Sequence, residues 1–347
     1  MVWWSAFYFL SGEEVYERNC TDSHGWIYEV LSDNEIFADL FNGALFGGNQ
    51  IIRPDMLEQE NEKKVMRVGK EGGRRAILRR IRDVQKLSGL RESCLAVVLA
   101  AEGQRNVHYA MPVRCMLYDA MDYTRQVERM VKKRREEGKL EKGAEYLSGM
   151  KREDRLLPVI TIVFYYGEEQ SWDGPLCLHD MLDIPPELEP WAACIQDYRV
   201  NLVCSGTVES SHFRTGLREV FELLPLLKDK EGMKKFLETR KREFMHLDAK
   251  KGWLVSKFLN VPALKDLKEN EKGEVNMCTA IEEMLEERET QGIERGIERG
   301  IEQGEIRVNQ LIEVLLRQSE RDEAYKQIKR AVTDRDYQKK LFDKYGI

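Results

Sequence analysis

Three residues have types and spacing suited to metal-assisted chemistry. Asp83 stands nineteen residues before Glu102, and Gln104 follows in the run Glu102-Gly103-Gln104. Carboxylates brought together from neighbouring strands can hold a magnesium ion, which takes hard oxygen ligands and keeps several waters. Such a metal, Mg²⁺ or Mn²⁺, can activate a water and neutralise charge on a phosphodiester. On a strand, Gln104 shares a face with Glu102 and can orient the attacking water. The spacing alone is common in a chain with 61 acids. On spacing alone Asp83 reads better as a solvated helix acid among arginines, and Glu102 as a strand-end carboxylate in a turn.

The residues leading into this constellation are strongly basic. Lys63 to Arg91 holds eleven Lys/Arg and two acids, a local charge of +9. Such a run is ordinarily a solvated face. Because it runs directly into the acids, it also reads as a phosphate-facing surface, with Arg79, Arg80 and Arg82 as candidate contacts. Arg114, further on, can bind phosphate bidentately or pair with an acid. His108 and Tyr109 follow the Glu-Gly-Gln run; His108 reads better as part of a helix entry. Tyr165, Tyr166 and Trp172 read as packing rather than base-stacking residues.

These candidates need elements to position them. Ser93 to Ala101 is a continuous apolar, β-branched run of strand length, and Glu102 sits where it stops. Leu157 to Tyr166 and Tyr198 to Cys204 read as two more buried strands. Asp33 to Phe46 reads as a helix capped by Ser32 or Asp33 and ended by Gly47-Gly48. Met111 to Val131 reads as the next helix, with Pro112 tolerated in its first turn. Helical patterns recur over Phe213–Leu227 and Met233–His246, and Ala76 to Leu87 fits either helix or strand. Strands separated by helices predict an α/β fold.

Composition narrows the class. The chain has 347 residues, 42% hydrophobic and 33% charged, with a net charge of −6. That supports a substantial core and excludes wholesale disorder. Net acidity argues against a histone-like, charge-driven binder, though local patches matter more. No apolar run reaches the roughly 18 residues of a membrane span. The opening MVWWSAFYFL has neither the basic flank nor the cleavage site of a signal peptide. Seven scattered cysteines without a CxxC pair suggest a reducing cytoplasm. His179, His212 and His246 are too dispersed to suggest zinc. No Walker A or GxGxxG pattern supports nucleotide dependence.

The tail carries a period-four repeat, GIERGIERGIEQ from Gly292 to Gln303, within a stretch from Lys265 to Glu305 of net charge −7. On a helix the isoleucine and glycine columns wind slowly side by side. Glycines cost a helix about 1 kcal/mol each relative to alanine. Close packing against a partner helix and a solvated tail are both consistent with this pattern. Charges in every repeat exclude membrane dimerisation.

Several motifs, in order, carry a resemblance. They are SDNEIFADLFNGALFGG, AEGQRNVHYAMPVRCMLYDAMDY, RLLPVITIVFYYGEEQSWDGPLCLHDML, DYRVNLV and the GIERGIERGIEQG tail. Together they resemble the recombination-promoting nuclease (Rpn) or YhgA-like transposase family of the PD-(D/E)XK nuclease superfamily, over roughly residues 30–305. The resemblance implies a Mg²⁺-dependent DNA endonuclease linked to recombination or mobile elements. It matches Asp83 in IRDV to the family's first-strand aspartate, and Glu102 and Gln104 to its E-x-Q. Gly103 replaces a larger polar residue, and Asn34 stands where many relatives have an acid. Which of Asp33, Glu35 and Asp39 could face the metal is open.

The expectation is therefore an α/β, restriction-endonuclease-like core with a mixed central sheet flanked by helices, a helical C-terminal region and a repeat tail. Its parts are an N-terminal extension over 1–32, a nuclease-like domain over 33–248, a helical region over 249–289 and the tail over 290–347. Asp83 and Glu102 are the expected metal ligands, with Gln104 completing the catalytic set. Arg79, Arg80, Arg82 and Arg114 are the expected DNA contacts. The expected location is cytoplasmic, away from membranes, with homo-oligomerisation through the tail. The alternative is a catalytically degenerate nuclease fold that binds DNA or oligomerises. A transposase proper would need an end-binding module that the sequence does not display.

Overall fold

Two of the three apolar runs, those over Ser93–Ala101 and Leu157–Tyr166, become inner strands of one sheet. The third, Tyr198–Cys204, read as a buried strand, holds only a three-residue edge strand, Asn201–Val203, with Asn201 exposed. The computed structural model describes residues 25–59, 63–71, 74–81, 84–89, 96–138, 143–167, 172–259, 269–318 and 320–347. Two short helices come first among the described residues, α1 (Gly25–Ser32) and α2 (Asn34–Leu45). They lead to β1 (Leu57–Gln59), β2 (Lys63–Glu71), β3 (Arg74–Ile81), β4 (Val84–Gly89) and β5 (Ala96–Gln104). The long helix α3 (Met111–Glu136) and the short α4 (Ala144–Ser148) precede β6 (Val159–Tyr165) and β7 (Asn201–Val203).

Five strands form a mixed sheet in the order β1-β4-β5-β6-β7. The first two pairings are antiparallel, with Val84 opposite Ala101. The last two are parallel, with Glu102 opposite Val163. A parallel pair needs a crossover, and α3 supplies about half of the one from β5 to β6. β2 and β3 pair with each other in a separate two-stranded sheet. The stretch that fitted either helix or strand is therefore extended wherever it is described.

Each face of the sheet has its own cover. On one face Met111 and Cys115 of α3 cluster with Val163 and Val200. On the other, Phe164 packs against Phe221 and Phe258, at centroid distances of 5.6 and 5.3 Å. Those rings come from α5 (Leu217–Leu223) and, after α6 (Lys230–Thr239), α7 (Lys241–Met245) and β8 (Leu247–Asp248), from α8 (Ala249–Leu259). α2 reaches this layer closely: a Cβ on Gly43 would lie 2.4 Å from the Phe213 ring.

α2 starts where its cap predicts, with Asp33 accepting from the Glu35 and Ile36 amides. The structure differs from the expectation for the end of the 1–32 extension. Ile27, Val30 and Leu31 recur at helical spacing and are buried in α1. Trp26 meets Tyr166 and Phe258 edge-to-face at 5.2 and 5.0 Å. Residues 1–24 lie outside the described residues.

The chain divides into two compact units, one ending at Cys278 and the other spanning Thr279–Ile347. β9 (Glu274–Val275) pairs with β8 in the first. The 42-residue helix α9 (Met277–Gln318) carries the repeat. In the second unit its Leu311 and Leu315 pack with Ala331 and Leu341 of α10 (Arg321–Thr333) and α11 (Arg335–Tyr345). Among the described residues, no helix is long and apolar enough to cross a membrane.

Candidate functional site

The centre of the site is a buried charge. Glu102 lies near the end of β5, the middle strand of the sheet, and its side chain is fully buried. Burying a carboxylate costs several kcal/mol unless a cation or donors compensate. Arg114, in the first turn of α3, places a guanidinium nitrogen 3.4 Å from Glu102 Oε2. That arginine is 34% exposed, so the pair bridges interior and surface. The guanidinium also lies 5.6 Å from the Tyr118 ring centroid. Arg114 thus pairs with an acid, one of the two roles its sequence position allowed.

Gln104, two residues on and half-buried, falls on the same strand face as Glu102. It pairs in register with Tyr165, and its carbonyl accepts from the Tyr166 amide at 3.0 Å. Buried Gly103 between them faces the other way, opposite Phe164. Gly167 closes the neighbouring strand tightly: a Cβ there would lie 2.3 Å from the Arg105 carbonyl oxygen. The ends of β5 and β6 are held together at the level of Gln104.

The same face carries a polar network that the sequence did not reveal. Gln85 pairs in register with Ala100 and donates to Asp122 at 3.2 Å. Asp119 accepts from Thr161 and from the Tyr198 hydroxyl, both at 2.6 Å. Arg114, Asp119 and Asp122 thus lay one helix face of α3 along the sheet, with Arg114 over Glu102. The signal was the acid pair in MLYDAMDY, but the partners lie 37 to 79 residues away.

His108 and Tyr109 occupy the turn between Gln104 and α3. His108 accepts the Met111 amide through its carbonyl at 3.0 Å. Its Nδ1 is buried and makes no hydrogen bond to the described residues. Burial first, then the positive Arg114, pull this imidazole below its ordinary value of 6.5. Exposed Tyr109 donates to Asp173 at 3.3 Å, and that negative neighbour raises the phenol above its ordinary range.

The other predicted residues fall in different places. Asp83 and Arg82 lie outside the described residues. Asp83 is bonded to Val84, whose register partner Ala101 precedes Glu102. Arg79 and Arg80 stand in β3, opposite Val65 and Lys64, in the separate hairpin. Lys86 corrects the reading of the basic run as a uniform phosphate-facing surface. It is fully buried, donating to the Ser32 carbonyl and to Asn34 Oδ1 at 2.7 Å, 4.7 Å from the Phe37 centroid. One residue past Gln85, it points to the opposite face from Glu102.

The acids of α2 and its cap have structural partners. Asp33 caps the helix, and Glu35 approaches Lys250 at 3.8 Å. Asp39 is buried and accepts from the Arg214 amide and from both the amide and hydroxyl of Thr215. Asn34 holds Lys86 and donates to the Pro54 and Leu57 carbonyls. Tyr165 packs edge-to-face on Trp172 at 5.4 Å, as the packing reading has it. No group of three or more His, Cys, Asp or Glu among the described residues is arranged to hold a metal.

These features define an α/β protein with a five-stranded mixed sheet and a buried carboxylate at the end of its middle strand. Comparison with family models, curated proteins and solved structures finds no match to this chain.

Proposed function

We propose that this chain is a metal-dependent DNA endonuclease on a restriction-endonuclease-like core, acting in recombination or on mobile elements. The observation that carries the reading is Glu102, a fully buried carboxylate beside Gln104 at the end of the middle strand. A buried carboxylate at a strand end is a functional-site candidate, because an apolar residue there would often stabilise the fold as well or better. The motif resemblance, which reaches the same Glu102 and Gln104, supports it independently.

The donor set suits a hard cation. Magnesium is commonly held by one or two carboxylates while keeping waters for substrate. Glu102 would supply one carboxylate and Asp83 the second. A Mg²⁺ or Mn²⁺ held there would supply an acidified water and charge neutralisation at the phosphodiester. Gln104 would orient that water through its amide oxygen. Arg114 exchanges its contact with Glu102 for one with a backbone phosphate.

The test is nicking of a supercoiled plasmid by Asp83→Ala in magnesium. Loss of nicking with an unchanged circular-dichroism spectrum is the expected result. Full activity would remove Asp83 from the site.

A further inference from the structure

We propose that the β2–β3 hairpin is a DNA-reading ribbon that enters the major groove of duplex DNA and delivers the backbone to the Glu102 site. The proposal rests on the nuclease reading above and adds the means by which substrate is held.

The first observation is separateness. β2 and β3 pair with each other from Lys63↔Ile81 to Glu71↔Arg74, and among the described residues neither joins the five-stranded sheet. The second is charge. Residues 63–81 hold eight Lys/Arg against one acid, Glu71, a local charge of +7. The third is register. Lys64 stands directly opposite Arg80, and Lys70 opposite Arg75. Like charges directly across an antiparallel pair destabilise it. The register sets one such pair near the hairpin's base and another near its tip. A ribbon of this charge and register is favourable against a polyanion, which releases counterions as the cations neutralise its phosphates.

Size selects the polyanion. Nine residues of strand extend about 30 Å, and two strands lie about 4.8 Å apart. A two-stranded ribbon fits the major groove of undistorted B-DNA, about 12 Å wide, whereas the minor groove, about 6 Å wide, would first have to be widened at the cost of deforming the duplex. The major groove of A-form RNA is too deep and narrow to be read. Position completes the argument. β3 ends at Ile81 and β4 begins at Val84, beside the strand that carries Glu102. A duplex seated on the ribbon is therefore tethered within a few residues of Asp83.

The test uses the full chain and a 24-base-pair DNA duplex in EDTA, so that binding is read without cleavage. The variant carries Lys64→Gln, Lys70→Gln, Arg75→Gln and Arg80→Gln. Its affinity should fall at least tenfold at 100 mM KCl. The slope of log affinity against log salt should shrink by about 2 to 4, at roughly 0.9 for each phosphate that is no longer neutralised. Methyl green, a major-groove ligand, should compete with the protein, whereas netropsin, a minor-groove ligand, should not. An RNA duplex of the same sequence should bind at least tenfold more weakly.

An unchanged affinity and slope in a variant of native circular dichroism would overturn the ribbon. So would displacement by netropsin alone, or equal binding of RNA. If the fourfold variant does not fold, Lys70→Gln with Arg75→Gln near the tip repeats the measurement. Plasmid nicking in magnesium, run in parallel, separates this proposal from the one beneath it. Salt-sensitive binding that fails in the variant, from a wild type that never nicks, would keep the ribbon and remove the nuclease. Nicking and binding equally strong in wild type and variant would remove the ribbon and keep the nuclease.

Discussion

The Arg114 guanidinium lies 3.4 Å from the Glu102 carboxylate, joining the first turn of α3 to the end of the middle strand. Removing one member of a buried pair leaves the other's desolvation uncompensated. The partial exposure of Arg114 softens this, so Arg114→Ala should cost about 1–3 kcal/mol. Urea midpoints measure it. Pairing Arg114→Ala with Glu102→Gln should restore part of the loss, because the buried carboxylate is then neutral. Strictly additive losses would show that the two do not interact.

His108 predicts a pH dependence. Its imidazole is held below 6.5 by burial and by Arg114, so the folded protein favours the neutral ring. Between the folded value and 6.5 the unfolded chain binds more protons than the folded one. Stability should therefore fall as pH drops through that window and level off below the folded value. Unfolding midpoints at pH 7.5 and 5.5 should separate more in the wild type than in His108→Gln. Equal separations would assign the acid loss to other groups.

Asp39 should be a scaffold residue rather than a reacting one. Its buried carboxylate accepts from the Arg214 and Thr215 amides and the Thr215 hydroxyl, ahead of α5. Asp39→Ala orphans those donors and should destabilise the protein by about 3 kcal/mol, with Asp39→Asn intermediate. Thermal unfolding tests the order. In conditions where both variants remain folded, DNA cleavage per folded molecule should match the wild type. A cleavage defect exceeding the folding defect would bring Asp39 into the chemistry.

The repeat helix makes a fourth prediction. An added Cβ at Gly292, Gly296 or Gly300 would meet nothing within 4 Å, and Ile293, Ile297 and Ile301 are each more than half exposed. Alanine at the three glycines should raise helicity, by about 1 kcal/mol of propensity each. If the glycine column lets a second copy's helix approach, the first of the two readings of the repeat, the same change should lower the oligomer mass seen by light scattering. Higher helicity with an unchanged mass would mean that the repeat is a solvated helix.

Legibility in the sequence followed the range of the interaction. Strands β5 and β6 were readable because a continuous apolar run needs cover on both faces, whatever covers it. α2 was readable because Asp33 caps it locally. α1 was missed because its apolar spacing occupies only eight residues at the end of an aperiodic aromatic stretch. The extended form of β3 was ambiguous because arginines interrupt its alternation. Glu102 and Gln104 were found as a motif, yet the depth of burial and the Arg114 partner were not determined by it. Lys86 was misread with its basic neighbours because its partners, Ser32 and Asn34, lie more than fifty residues earlier. Asp119 and Asp122 were hidden for the same reason.

The central claim is that the buried carboxylate on the middle strand holds a catalytic metal. The most direct measurement is nicking of supercoiled plasmid by purified wild type and Glu102→Gln, each with Mg²⁺ and with EDTA. Glutamine keeps the side-chain volume and removes the charge that a metal needs. The account predicts nicking by the wild type in magnesium alone, and none by the variant under either condition. Equal, magnesium-dependent nicking by a folded Glu102→Gln protein would contradict it.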